Sequence, residues 1–263
     1  MTLRAVAFDL DSTLVDFLRY KRLAAEAAAL AMVDAGLDLP PALATETLWR
    51  AYEEAGLDGD RGFRAFLENT CGAADPTLLE AGIVAYLRAK DAHLEPYPRT
   101  ARTLVELVRE GLLLAIVTDA PREKALARLS RLRLLPFFDL VVTRDDTLQG
   151  KADDQPYRQL LARLHHPPSA VLMVGDHPAR DVRPARALGL WTAQAAYGTQ
   201  PRFASTRPED EPHFELSRID ELPRVVRELG TPRTPREATP APSASSPPAR
   251  LAVAWTPTTS GST

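Results

Sequence analysis

Short apolar runs punctuate the chain, and several close on polar residues. They are "LRAVAFDL" (3–10), "LLLAIVTD" (112–119), "FDLVVT" (138–143), "AVLMVGD" (170–176) and the weaker "TAQAAYG" (192–198). Continuous apolar runs of this length predict strands buried on both faces. Between them the apolar period lengthens to that of a helix, over 99–110, 122–132, 155–164 and 179–188. Pro121 and Pro178 stand where a helix begins, and Gly111 and Gly189 where one stops. Strand and helix in steady alternation predict a parallel α/β sheet with helices on both faces.

Residues 15–98 break the alternation. "RYKRLAAEAAALAMVDAG" has the alanine-rich composition of a good helix, and further helical stretches fall near 43–55, 61–70 and 76–92. An all-helical module inserted after the first strand is expected, with Pro96 and Pro98 marking the return. The predicted organisation is an α/β core of residues 1–14 and 99–230, a helical module of 15–98 and a tail of 231–263. The tail is rich in Pro, Ser, Thr and Ala. It offers too little apolar surface to offset the entropy of ordering and is expected to be disordered.

Composition narrows the function classes. A net charge of −3 over 263 residues argues against a general nucleic-acid binder, which would carry a basic stripe. Cys71 is the single cysteine, so no intrachain disulfide can form, and it is expected to pack among the inserted helices. No uncharged apolar run approaches 18 residues, so no membrane partner is expected. A cytoplasmic protein is the expectation.

The chemistry lies where the strands end, since ligand sites in open α/β sheets gather at the carboxyl ends of the strands. The first run ends in Asp9-x-Asp11, the second in Thr118-Asp119 and the fourth in Gly175-Asp176, with Asp181 five residues on. Lys151 follows Gly150 in the loop after the third. On adjacent strands these residues would bring several carboxylates to one lysine and one hydroxyl. Converging carboxylates need a counter-charge, and Mg²⁺ supplies one through carboxylate, water and phosphate oxygens. Metal and lysine together suit a phosphoryl group. One aspartate can attack phosphorus and the other can serve as general acid and base.

"FDLDSTL", "IVTDA", Gly150-Lys151 and "GDHPARD", in this order and spacing, resemble the four motifs of the haloacid dehalogenase (HAD) superfamily. The resemblance covers residues 3 to 230, and the helical insertion is similar to the C1 cap of the phosphoglycolate-phosphatase-like branch. It implies a Rossmann-like core with an inserted helical cap. It implies a Mg²⁺-dependent phosphatase of a small phosphorylated metabolite, working through an aspartyl-phosphate. By the same resemblance Asp9 is the nucleophile and a metal ligand. Asp11 is the acid/base and binds the metal through its backbone carbonyl. Thr118 and Lys151 hold the phosphoryl group, and Asp119 is a candidate substrate contact. Asp176 ligates the metal and Asp181 supports it.

The chain departs from the pattern in three places. Ser12 stands where glycine is usual, Asp119 where asparagine is common, and Ala152 where proline usually follows the lysine; Tyr157 keeps the family's aromatic. Other singled-out residues have plainer readings. His177 reads as a helix start, His165 and His166 as a helix end, and Arg19, Lys21 and Arg22 as a solvated charged face. The alternatives are a phosphomutase of the same fold, or a non-catalytic binding module whose Pro-rich tail recruits a partner. A dehalogenase is disfavoured, since those relatives lack the second aspartate.

Overall fold

The computed structural model describes residues 2–56, 61–204 and 207–230; the tail of 231–263, expected above to be disordered, lies outside the described residues. The chain begins with β1 (Ala5–Phe8), followed by four helices: α1 (Phe17–Asp34), α2 (Pro41–Glu54), α3 (Arg61–Cys71) and α4 (Pro76–Ala92). Alternation then sets in with α5 (Thr100–Arg109), β2 (Leu113–Val117), α6 (Arg122–Arg131), β3 (Leu140–Val142), α7 (Arg144–Thr147), α8 (Gln155–Leu164) and β4 (Val171–Gly175). It closes with α9 (Arg183–Ala187), β5 (Trp191–Ala195), β6 (Phe214–Leu216) and α10 (Leu222–Leu229).

The six strands form one sheet in the order β3-β2-β1-β4-β5-β6, and every pair is parallel. This is the expected α/β architecture. Side chains alternate across a strand, so each strand feeds two layers. On β1, Val6 and Phe8 pack with Leu104, Leu107, Leu114 and Leu172 on one face. Ala5 and Ala7 pack with Tyr157, Leu160 and Met173 on the other. Both faces are covered, which is why the strands read as continuous apolar runs rather than alternating ones.

Helices α1 to α4 build a separate apolar cluster. Ala24, Ala25, Ala28 and Ala29 of α1 present small side chains to Leu48, Phe63, Phe66 and Leu79. Alanine at this spacing lets the helix axes approach closely. Asp16 caps α1, accepting from Arg19 N–H at 3.3 Å, and Asp75 caps α4 through Thr77 and Leu78 N–H.

Three sequence expectations need correction. Lys21 is buried rather than solvated: its Nζ donates to Tyr52 Oη at 3.2 Å and lies over the rings of Phe17, Tyr52 and Tyr86. Cys71 is exposed at the end of α3, not packed inside. The helix expected over 179–188 is instead a π turn (Pro178–Val182) leading into the short α9. Among the described residues no helix is long and apolar enough to cross a membrane.

Candidate active site

Sheet register sets the acidic residues side by side. β1 and β4 are neighbours with Phe8 opposite Val174, and Asp9 N–H extends the ladder to Val174 O at 2.9 Å. Asp9 and Asp176 therefore leave adjacent strands together, at the point where the strand order reverses. On the other side of β1, Thr118 continues β2, its N–H donating to Val142 O at 3.0 Å. The loop after Asp9 turns through Ser12, whose φ of 61° is left-handed. Glycine adopts that conformation freely, so serine occupies this turn at a cost. Gly198 presses on the same turn: a Cβ there would lie 1.6 Å from Ser12 O.

Lys151 ties the cluster together. Its Nζ donates to Asp9 Oδ1 at 2.6 Å and to Asp181 Oδ1 at 2.5 Å, and all three side chains are buried. Carboxylate oxygens of Asp9, Asp176 and Asp181 lie within 4.8 Å of one another. Gly175 makes this possible, because a Cβ there would fall 2.3 Å from Asp181 Cγ. Asp181 is further held by His177 N–H at 2.9 Å. Tyr157, from α8, donates to Arg180 O at 2.6 Å and so braces the π turn that carries Asp181.

The cluster holds three carboxyl groups to one cation, and crowding makes their ionisation unfavourable. Burial, then the carboxylates of Asp9 and Asp181, pushes Asp176 up to about 9. Burial raises Asp9 to about 7 against the pull of Lys151. Burial works against the Lys151 charge, but Asp181 and Asp9 outweigh it and hold the ammonium well above its usual range. Three carboxylates beside one cation offer the oxygen donors that a hard dication such as Mg²⁺ takes.

A cavity of about 360 Å³ opens above the cluster. Six of the seven residues singled out in the sequence line it: Asp9, Asp11, Thr118, Asp119, Lys151 and Asp176. Asp181 sits behind them, joined through Lys151. Thr118 Oγ1 accepts from Ala120 N–H at 3.2 Å, which fixes the hydroxyl. Asp119 is engaged by the protein: Oδ1 accepts from Lys151 N–H at 2.7 Å and Oδ2 pairs with Arg180 at 3.3 Å. It orders the lysine loop.

Sequence reasoning missed two features. Arg128, on α6, is buried and donates from Nη1 to Asp11 Oδ2 at 2.5 Å, its guanidinium lying 5.4 Å from the Phe17 ring centroid. Its only sequence signal was an arginine on the buried face of an amphipathic helix. His177, read as a helix start, also lines the cavity and stacks on Phe203 with centroids 4.3 Å apart. Burial, then Arg180, lowers its imidazole to about 4, so it is neutral at physiological pH.

Comparison with known proteins agrees with this geometry. The family pattern of haloacid dehalogenase-like hydrolases matches residues 3–189. The chain is 30% identical over 227 residues to the glyceraldehyde 3-phosphate phosphatase of Methanocaldococcus jannaschii, covering 86% of this chain and 98% of that one. It is 31% identical over 199 residues to the phosphoglycolate phosphatase of Neisseria gonorrhoeae, covering 74% and 80%. Among solved structures, the 2-haloacid dehalogenase of Pseudomonas syringae shares the fold, with a TM-score of 0.60 at 22% identity, covering 87% of this chain and all of that one. A parallel sheet with acidic residues at its switch point, matched by the family pattern over most of its length, places the chain in the haloacid dehalogenase-like hydrolase family.

Proposed function

We propose that the protein is a Mg²⁺-dependent phosphatase of a small phosphorylated metabolite, acting through an aspartyl-phosphate on Asp9. The observation that carries this reading is the buried contact of Lys151 Nζ with Asp9 Oδ1 at 2.6 Å, within the Asp9, Asp176 and Asp181 cluster. The named phosphatase relatives support the reaction class.

Asp9 and Asp176, with the Asp11 carbonyl, would hold Mg²⁺, and Asp181 would support it from behind. The ion's chemistry is to neutralise charge on the phosphoryl oxygens and on the attacking carboxylate. Lys151 shares that work and keeps one Asp9 oxygen oriented. Thr118 and the backbone after it position the phosphoryl group. Asp9 attacks phosphorus, the ester P–O bond breaks, and Asp11 gives the leaving oxygen its proton. Asp11, now a carboxylate, takes a proton from water. That water attacks phosphorus, the bond to Asp9 breaks, and phosphate leaves with Asp9 restored. Asp11 also weighs against dehalogenase chemistry, which has no leaving alkoxide to protonate. Residues 15–98 form a cap in this reading, closing over the cavity to exclude water.

The two aspartates are separable by experiment. Asp9→Asn should abolish turnover on every phosphomonoester. Asp11→Asn with nitrophenyl phosphate, whose leaving group needs no proton, should give a burst near one nitrophenolate per site and then slow turnover. Mass spectrometry of rapidly quenched protein should find phosphate on Asp9. Equal residual turnover in both variants, with neither burst nor adduct, would refute the assigned roles.

A further inference from the structure

Away from the acidic cluster, one wall of the cavity has its own construction. The π turn Pro178–Val182 is pinned by Asp181, through Lys151 and His177 N–H, and by Tyr157 Oη on the Arg180 carbonyl. Its backbone is fixed, and the side chains of His177 and Arg180 line the cavity. Both lie against Phe203, the imidazole stacked on it and the guanidinium 5.9 Å from its centroid. A π turn held so firmly, presenting Arg180 to a cavity beside the preceding His177, is typical of functional positions.

This wall is incompletely satisfied. Among the described residues, His177 Nδ1 and Arg180 Nε are buried and have no hydrogen-bond partner. Leaving such groups unpaired is unfavourable, more so for a charged donor. Arg144 lines the same cavity and has no carboxylate within ion-pair distance among the described residues, whereas Asp119 pairs with Arg180. Of the two guanidinium groups only Arg180 is paired with a carboxylate, so Arg144 leaves this wall with positive charge outside the phosphoryl cluster.

We propose that His177, Arg180 and Arg144 form the subsite for the departing part of the substrate, and that this part carries a carboxylate. The proposal rests on the phosphatase reading and names the substrate class within it. A carboxylate offers two coplanar acceptors to a guanidinium fork and supplies the missing negative charge. A hydroxyl or aldehyde oxygen offers acceptors but no charge. At about 360 Å³ the cavity is near the small end of ligand pockets, which favours a short-chain acid over a nucleotide. Selection of the leaving group is thereby assigned in part to the sheet side of the site and not to the inserted helices alone.

The test is a pair of substrates one oxidation level apart: 3-phosphoglycerate and glyceraldehyde 3-phosphate, assayed with Mg²⁺ for phosphate release. The wild-type protein should prefer the acid by about 30-fold or more in kcat/KM. Arg180→Ala and Arg144→Ala should each narrow that ratio at least tenfold, mainly by raising KM for the acid, and Arg180→Lys should recover part of it. His177→Ala should narrow it less. Release without preference for the acid overturns the inference and leaves the phosphatase reading standing. So does an equal loss on both substrates in the arginine variants. No release from either substrate or from nitrophenyl phosphate overturns the phosphatase reading and this inference with it.

Discussion

Arg128 and Asp11, 117 residues apart in sequence, meet at 2.5 Å on the wall of the cavity, the arginine side chain 9% exposed and the aspartate 25%. The pair joins α6 of the sheet layer to the loop that follows β1. A charge-assisted hydrogen bond of this length fixes a side chain in one orientation. An acid/base group must be held within reach of the proton it moves, and in the proposed function Arg128 would be the positioning residue for Asp11.

Removing Arg128 should therefore cost most where protonation matters most. General acid–base help is typically worth about 10²–10⁴-fold, and losing its orientation should forfeit about tenfold or more of it on an alkyl phosphate. The loss on nitrophenyl phosphate should be smaller. Arg128→Lys should fall between Arg128→Ala and wild type. Comparison of kcat on the two esters checks this, and a uniform loss would assign Arg128 to packing alone.

Gly175→Ala should weaken metal binding. The new Cβ would sit 2.3 Å from Asp181 Cγ, so Asp181 must leave its place beside Lys151. Titration with Mg²⁺, followed by calorimetry, should show affinity reduced by about tenfold or more, in line with losses from disturbed support around a metal site. Unchanged affinity would show that Asp181 has no part in holding the ion.

The metal-free protein should lose stability as the pH rises. Asp9 and Asp176 titrate higher in the folded chain, at about 7 and about 9, than in the unfolded chain, near 3.8. The folded state thus holds extra protons over that window, and their contribution is full below about 4. It is lost as pH passes 7 for Asp9 and 9 for Asp176. In the proposed function Mg²⁺ would bind the deprotonated cluster, so the rise in Tm on adding Mg²⁺ should be larger at pH 8 than at pH 5. Melting curves with Mg²⁺ or with a chelator check this; an equal rise at both values would contradict it.

Asp210→Ala tests an ion pair away from the cavity. Arg183 donates to Asp210 from Nε and Nη2, both at 2.7 Å, with the aspartate side chain 1% exposed and the arginine 35%. The guanidinium can partly turn to water once unpaired, so the protein should be destabilised, but by less than on breaking a fully buried pair. Urea unfolding should show it as a shift in midpoint at constant slope.

Five of the six strands were legible because both faces of the sheet are covered, and continuous burial writes continuous apolar sequence. β6 was not: Phe214–Leu216 is three residues long, at the sheet edge, with Glu215 exposed. The π turn was hidden because "ARDVRPARAL" keeps an ordinary helical apolar spacing, and one extra residue in a turn leaves no compositional mark. The acidic cluster was readable since carboxylates rarely end buried strands without a reason. Arg128 and Lys21 were not, because a buried cation in a helix looks like a solvated one until its partners from distant segments are known.

Where the chain leaves the sheet for α1 and where it returns from α4, the two connections pair with each other. Val15 bridges to Asp11 on one side and to Pro96 on the other, and Tyr97 N–H donates to Leu14 O at 3.0 Å. The helical segment thus departs and returns through a single doorway. Phe17, Tyr20 and Leu94, just inside that doorway, pack with the core of the sheet, and between Tyr20 and Leu94 a change in the helices touches no residue of β1, β2 or β4. A lineage could exchange whole helical segments at that doorway and try new substrates on an unaltered chemical floor.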